Sequence, residues 1–301
     1  MTDLSSLSKK FASIPGLIFK ETVGGLGMVE ITTSAGDATI ALQGAQVTTW
    51  TPKDQAPVIW LSSQSKFILG KSVRGGVPIC WPWFGPHATQ SSFPGHGFAR
   101  TVPWEVVSIE ELERGDIRLQ FRLCHDANTL VQWPHKTPVT CQITVGSRLE
   151  IEVTTRNEED TPVHISEALH TYLAVSDVRK VQVTGLENVE YIDKVNGGKR
   201  LRQSGVVTIS NEVDRVYLNT NSECFVDDAG WQRRIRIKKE GSQSTIVWNP
   251  GQEKADKMGD LGKDGYLGML CVESGNALEN SVEIAPGAEH RLWVSYETQV
   301  L

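Results

Sequence analysis

The sequence predicts an all-β fold of antiparallel sheets, a sandwich or a barrel. Three observations predict it. Short runs of alternating apolar and polar residues, rich in β-branched and aromatic side chains, recur along the chain. Clusters of Gly, Pro, Asn and Asp separate them. No long segment sustains the 3.6-residue period of an amphipathic helix. Period-two alternation puts every second side chain on one face, as a half-buried strand requires. Many strands with few helices favour packed antiparallel sheets.

In chain order, the predicted strands begin at residues 38–42, 47–50 and 58–61. Residues 117–123 (Ile-Arg-Leu-Gln-Phe-Arg-Leu) alternate cleanly, and 149–155 do the same. The later runs are 181–184, 235–238, 245–248, 269–273 and 291–296. Turn residues mark gaps at Gly75-Gly76, Asn196-Gly197-Gly198, Asn249-Pro250-Gly251 and Asp264-Gly265. Short helical pieces are expected at 3–14 and 128–133. No shift in composition and no internal repeat divides the chain, so residues 1–301 read as one domain.

Composition narrows the function. A chain with 39% hydrophobic and 22% charged residues is ordinary for a globular protein. A formal net charge of -6 argues against a general nucleic-acid binder. It leaves room for a small anionic substrate, because a few arginines set the local field. The first residues lack the apolar stretch of a signal peptide. Apolar runs such as 269–272 are too short to cross a membrane. Five scattered cysteines without a CxxC pair make neither a disulfide framework nor a zinc pattern. A cytoplasmic protein with no nucleic-acid or membrane partner is therefore expected. His164 and His170 would sit on one face of a single strand, roughly 20 Å apart and too far to share a metal. No metal is expected. The GxSxG, HExxH, GxxxxGK[ST] and GxGxxG motifs do not occur.

One segment departs from the strand pattern. It runs Arg74-Gly-Gly-Val-Pro-Ile-Cys-Trp-Pro-Trp-Phe-Gly85 and continues to Pro94-Gly-His-Gly-Phe-Ala-Arg100. It is too rich in Gly and Pro for a regular strand, and long irregular segments in compact domains often carry function. Elsewhere, polar residues punctuate apolar runs: His170 in Ala-Leu-His-Thr-Tyr, Asp214 in Glu-Val-Asp-Arg-Val-Tyr, Glu273 in Met-Leu-Cys-Val-Glu. Taken singly, each has an ordinary structural reading. The histidine could be a hydrogen-bonded core residue, and the glutamate a strand-end carboxylate facing water. Asp214 could pair with a neighbour, Arg74 and Arg100 with surface acids. Trp81, Trp83 and Trp248 could simply fill the core.

Taken together, the motifs resemble the glucose-6-phosphate 1-epimerases of the aldose 1-epimerase superfamily. The 74–85 and 94–100 pieces carry the resemblance. Leu42-Gln-Gly-Ala-Gln-Val-Thr-Thr-Trp50, Ala168-Leu-His-Thr-Tyr-Leu173, Asp214-Arg-Val-Tyr217, Val247-Trp-Asn-Pro-Gly251, Asp264-Gly-Tyr266 and Cys271-Val-Glu273 follow in matching order. The resemblance implies a large antiparallel β-sandwich of the galactose mutarotase type, with a sugar in a cleft on its concave face. It implies His170 as general acid and Glu273 as general base. Arg74, Arg100 and Asp214 would bind substrate, and His96 would sit beside the sugar. Trp83 and Trp248, next to the motifs, are candidates for stacking on the ring. Where some relatives carry a glutamine, this chain has Gly95, whose only possible contact is through its backbone.

Anomerisation opens the pyranose: a base takes the proton of the C1 hydroxyl while an acid protonates the ring oxygen. After rotation about C1–C2 the ring recloses. The chemistry needs no cofactor. It calls for an ionised carboxylate beside a protonated imidazole, and a nearby carboxylate would favour the imidazolium. The paired arginines favour a hexose 6-phosphate, because guanidinium groups match phosphate geometry and stay charged. A mutarotase of unphosphorylated aldoses and a non-catalytic carbohydrate-binding sandwich are the other readings. A monomer is expected, since no zipper or apolar patch is visible.

Overall fold

The structure, a computed structural model, describes residues 3–301. Two large sheets dominate, with antiparallel neighbours throughout. One has nine strands. Its centre runs Cys224–Asp228, Arg233–Glu240, Glu289–Val300, Leu149–Arg156, Val139–Val145, Ile117–Leu123 and Trp104–Glu111. The other has eight and positions the site. Its order is Lys199–Arg202, Glu190–Asp193, Val213–Tyr217, Ser244–Asn249, Met269–Asn276, Glu167–Leu169 and Ile79–Cys80. Tyr172–Ala174 also pairs with Met269–Asn276. A four-stranded meander, Leu17–Glu21 to Gln46–Pro52, extends the structure at the N-terminal end. The predicted β-sandwich is thus the observed fold.

The two large sheets share one hydrophobic core, to which Phe121, Ile143, Ile151, Val294, Val247, Leu270 and Val272 all contribute. Polar ties cross it. The Trp81 indole donates to Thr155 Oγ1 at 3.0 Å, and Thr171 Oγ1 meets the Tyr296 hydroxyl at 2.5 Å. Such buried polar groups are held because each has a partner.

The central strands of the eight-stranded sheet are buried on both faces. Alternation assigns the faces. Leu270 and Val272 enter the core between the sheets, whereas Met269, Cys271 and Glu273 point the other way. Val247 faces that core; Ile246 and Trp248 face away. The segment 74–100 enters this sheet at its edge through Ile79–Cys80 and brings Arg74, His96 and Arg100 to this outer face. Its start runs beside the His170 segment, with Ala168 opposite Cys80 and Leu169 opposite Ile79. The His170 and Tyr172 amides donate to Pro78 and Gly76 carbonyls, both at 2.9 Å.

Nine of the predicted strands are present. The run 58–61 is not a strand. Val58 donates to Trp50, Trp60 donates to Tyr172, and Gly76 donates to Trp60. The run is buried among three segments and changes partner at each step, so no ladder forms. The helix expected at 3–14 is shorter, Leu4–Lys10, and the one expected at 128–133 is present one residue earlier, as Ala127–Gln132. Each starts at an aspartate, Asp3 or Asp126, whose carboxylate accepts from the first-turn amides. Gly251–Ala255 is a third helix that was not predicted. Among the described residues, no helix is long and apolar enough to cross a membrane.

Candidate active site

A cleft of about 310 Å³ opens on the outer face of the eight-stranded sheet. That suits a small ligand. A larger hollow of about 490 Å³ lies beneath the helix Leu4–Lys10; its charged residues, Asp3, Lys10, Glu21 and Glu105, are exposed, and it does not bring a histidine together with a buried carboxylate. The cleft does. It is lined by Arg74, His96, Arg100, His170, Asp214, Trp248 and Glu273, residues drawn from segments up to 199 positions apart.

Cross-strand register builds its floor. Asp214 lies opposite Trp248, Trp248 opposite Cys271, and Cys271 opposite Tyr172, a row across four strands. Glu273 is two residues beyond Cys271 and so shares its face. Its carboxylate Oε1 is 3.2 Å from His170 Nδ1. The two atoms are close but not aligned as a hydrogen bond, and both His170 Nδ1 and Glu273 Oε2 lack a partner in the fold. Two unpartnered polar atoms in a buried site are costly unless a ligand satisfies them.

Burial sets the protonation of this pair. The Glu273 carboxyl is pushed well above the usual carboxylate range, chiefly by desolvation. His170 is pushed well below the ordinary histidine range by burial, then by the fields of His96, Arg100 and Arg74. Each shift favours the uncharged form, whereas the sequence reading expects an ionised carboxylate beside a protonated imidazole.

His96 is held by two contacts with one residue. Its amide donates to the Gly85 carbonyl at 2.7 Å, and the Gly85 amide donates to His96 Nδ1 at 3.3 Å. With Nδ1 accepting, Nε2 carries the proton of the neutral ring. Burial and the nearby Arg100, Lys194 and Arg74 push this histidine down to about 3. Its φ is 66°, a left-handed conformation uncommon outside glycine, and such strain tends to collect at functional sites.

Arg74 donates from Nε to Asp260 at 3.1 Å and from Nη1 to the Tyr172 hydroxyl at 2.9 Å. Arg100 donates to the Gly95 carbonyl at 2.8 Å. Gly95 thus acts through its backbone, on the arginine. Among the described residues, no carboxylate pairs with Arg100.

Trp83 is a correction. Its indole donates to the Pro94 carbonyl at 2.9 Å, and its ring packs with Phe93, His87 and Phe98. It belongs to the interior of the 74–100 segment and does not line the cleft. The next residue, Phe84, does, with the Lys194 ammonium 5.1 Å above its ring. His164 also differs from expectation. It lies on a separate short strand, Val163–Ile165, and pairs with Glu283 at 3.3 Å.

Eight lining residues were not anticipated, among them Phe84, Tyr172, Lys194 and Lys254. Tyr172 had a signal, since it follows His170 by two positions in an apolar run. The lysines had none, because a lysine in a polar stretch ordinarily faces water. Lys194 Nζ lies 3.7 Å from Asp214, and Lys254 pairs with Glu212 at 2.6 Å. His170, Cys271 and Glu273 present ligand atoms within 4.8 Å of one another, a set able to approach a metal ion. Two of the three are the acid and base candidates, and a bound ion would occupy the groups the chemistry needs free.

Comparison with known proteins agrees with this geometry. The profile of the family described as Aldose 1-epimerase matches residues 27–297. A protein of Escherichia coli strain K12 named "Putative glucose-6-phosphate 1-epimerase" is 40% identical over 243 residues, 80% of each chain. One of the same name from Salmonella typhimurium strain LT2 is 40% identical over 238 residues, 79% of each chain. The crystal structure of a "putative mutarotase" from Salmonella typhimurium superposes with a TM-score of 0.89 at 32% identity, covering 98% of this chain and 100% of that one. Sheet order, cleft and matched length converge, and the chain belongs to the aldose 1-epimerase family, isomerases that interconvert sugar anomers.

Proposed function

We propose that the substrate is a hexose 6-phosphate, glucose 6-phosphate foremost, with His170 as general acid and Glu273 as general base. The observation that carries the phosphate is the charge of the cleft. Four cations line it beside the His170–Glu273 pair; Arg74, Lys194 and Lys254 have carboxylate partners in Asp260, Asp214 and Glu212, whereas Arg100 has none among the described residues. A neutral sugar would leave Arg100 with no anion, whereas a phosphate accepts paired guanidinium donors. The names of the relatives that are 40% identical specify the same substrate. The five cysteines are free thiols and suit a cytoplasmic enzyme.

The uncharged pair that burial favours is a resting form of the acid–base couple. Passing the Glu273 proton to His170 Nδ1 gives a carboxylate and an imidazolium. The carboxylate takes the proton of the C1 hydroxyl. The imidazolium gives one to the ring oxygen as the C1–O5 bond breaks to the open-chain aldehyde. Reclosure on the other carbonyl face returns both protons. Asp214 is suited to accept from a sugar hydroxyl, the His96 Nε2–H to donate to one, and Trp248 to cover an apolar face of the ring.

Exchange between anomers, followed by saturation-transfer NMR with catalytic amounts of protein, tests the activity. His170→Asn or Glu273→Gln is expected to lower kcat about 10²- to 10⁴-fold with the fold retained. Near-normal turnover in either variant removes the assignment. Arg100→Leu is expected to raise KM for glucose 6-phosphate roughly 10- to 100-fold and leave that for glucose unchanged. Equal effects on both sugars would exclude the phosphate reading.

A further inference from the structure

A catalytic imidazole is usually oriented by a hydrogen bond to its second ring nitrogen. Here His170 Nδ1 has no such bond. Something else must hold the ring. The Tyr172 ring lies parallel to it, with centroids 4.9 Å apart and planes 9° from each other. Trp248 meets His170 edge-on at 5.9 Å, and Trp60 stacks on Tyr172 at 5.9 Å. The imidazole is thus one plate of a stack that continues into a buried aromatic cluster.

The other end of the same tyrosine reaches a different part of the cleft. Its hydroxyl accepts from Arg74 Nη1 at 2.9 Å. Asp260 holds the same guanidinium through Nε at 3.1 Å, and the Asp260 carbonyl is itself tied to Ser62 Oγ at 2.7 Å. Tyr172 and Asp260 therefore fix the Arg74 guanidinium from two sides. The tyrosine is almost fully buried, and its hydroxyl has Arg74 as its partner.

We infer that Tyr172 is a positioning residue that registers the reacting end of the sugar against its anionic end. Its ring sets the plane of His170, and its hydroxyl sets the place of Arg74. The distance between the two is then a property of one rigid side chain on one strand, Tyr172–Ala174, beside Met269–Asn276. A ligand with its anion at the wrong remove from the ring oxygen cannot satisfy both ends. This deepens the hexose-phosphate reading, and its hydroxyl arm rests on that reading; its ring arm does not.

Two variants separate the arms. Tyr172→Phe keeps the plate and removes the hydroxyl. It is expected to raise KM for glucose 6-phosphate roughly 5- to 20-fold. It should keep the shape of the pH profile of kcat and change KM for glucose far less than KM for glucose 6-phosphate. Tyr172→Leu removes both, and kcat should fall at least about tenfold on both sugars as the imidazole loses its plane. Asp260→Asn, at a half-exposed position away from the stack, should reproduce the KM effect of the Phe variant alone. Near-UV circular dichroism and a thermal melt verify folding. If the Leu variant does not fold, the Phe variant still decides. A changed shape of its pH profile, or an equal KM change for both sugars, overturns the inference, and so does a Leu variant that folds and keeps its kcat. Should the wild type not distinguish phosphorylated from free sugar, the phosphate reading fails; the kcat contrast between Phe and Leu then still tests the ring arm.

Discussion

At the scale of single residues, the cleft trades stability for chemistry. Glu273 is 1% exposed, and burial raises its carboxyl well above the usual carboxylate range. A carboxyl with a raised folded-state pKa contributes most stability below its unfolded value and loses it as pH rises through the folded value. Ionising it at neutral pH thus works against the fold. Glu273→Gln is expected to raise the melting temperature at pH 8 while it lowers turnover, and the gain should shrink towards pH 5. A melting temperature lowered at pH 8 would show that the buried charge is better compensated than the structure implies. Trp83 tests the correction made above. Trp83→Phe should cost about 1 kcal/mol through the lost indole bond to Pro94, with kcat/KM for glucose 6-phosphate unchanged. A tenfold loss in kcat/KM would return Trp83 to the substrate.

The same residues mark how far the sequence could be read. His170, Glu273, Arg74, His96, Arg100, Asp214 and Trp248 all reach one cleft. His170, Asp214 and Glu273 are legible only from motif order, Arg74, His96 and Arg100 also from the irregular 74–100 segment that holds them, and Trp248 from its place beside a motif. Trp83 and Phe84 are neighbours with equal claims from the sequence. Which of them faces the sugar depends on how an irregular, Gly- and Pro-rich segment turns. Side-chain period carries no information where the backbone has none.

At the scale of elements, clean alternation was legible and irregular strands were not. Residues 117–123 became Ile117–Leu123 without adjustment. Trp104–Glu111 was missed because its register shifts between Val106 and Ser108, a bulge that breaks the alternation. Leu17–Glu21 was missed because it is a largely exposed strand on one side of its meander. The 74–100 segment depends on glycines for close approach. Gly97 has φ +69, and a Cβ there would lie 1.9 Å from the Trp81 carbonyl oxygen. Gly97→Ala is expected to destabilise by about 2–4 kcal/mol and to displace His96. Denaturant unfolding with anomer-exchange kinetics would measure both; a neutral substitution would mean that the segment is not held there.

At the scale of the whole molecule, the nine-stranded sheet supports a site it does not line. Thr171, between His170 and Tyr172, meets Tyr296 of the opposite sheet across the core. Tyr296→Phe should cost about 1–2 kcal/mol and lower kcat modestly, with KM unchanged. An unaltered unfolding midpoint would argue against that tie. Acid tests the buried histidines. His96 falls from 6.5 unfolded to about 3 folded, so its contribution is complete above 6.5 and is lost as pH drops towards 3. Glu273 works in the opposite direction, so the informative quantity is a difference. His96→Gln should lose less of its urea midpoint between pH 7.5 and pH 5 than the wild type. Equal losses would mean that His96 accepts a proton in the folded state at no cost.

The sequence by itself determined the strand-rich architecture and the membership of the motif set. Those depend on local patterning and on the order of short segments, both written along the chain. Only the tertiary structure decided which neighbours share a face, that Lys194 and Lys254 join the cleft, and that burial disfavours the charged forms of Glu273 and His170. The physical reason is that burial and electrostatic field are sums over atoms distant in sequence. A carboxylate's charge depends on what the fold packs around it, and no local run of residues contains that sum.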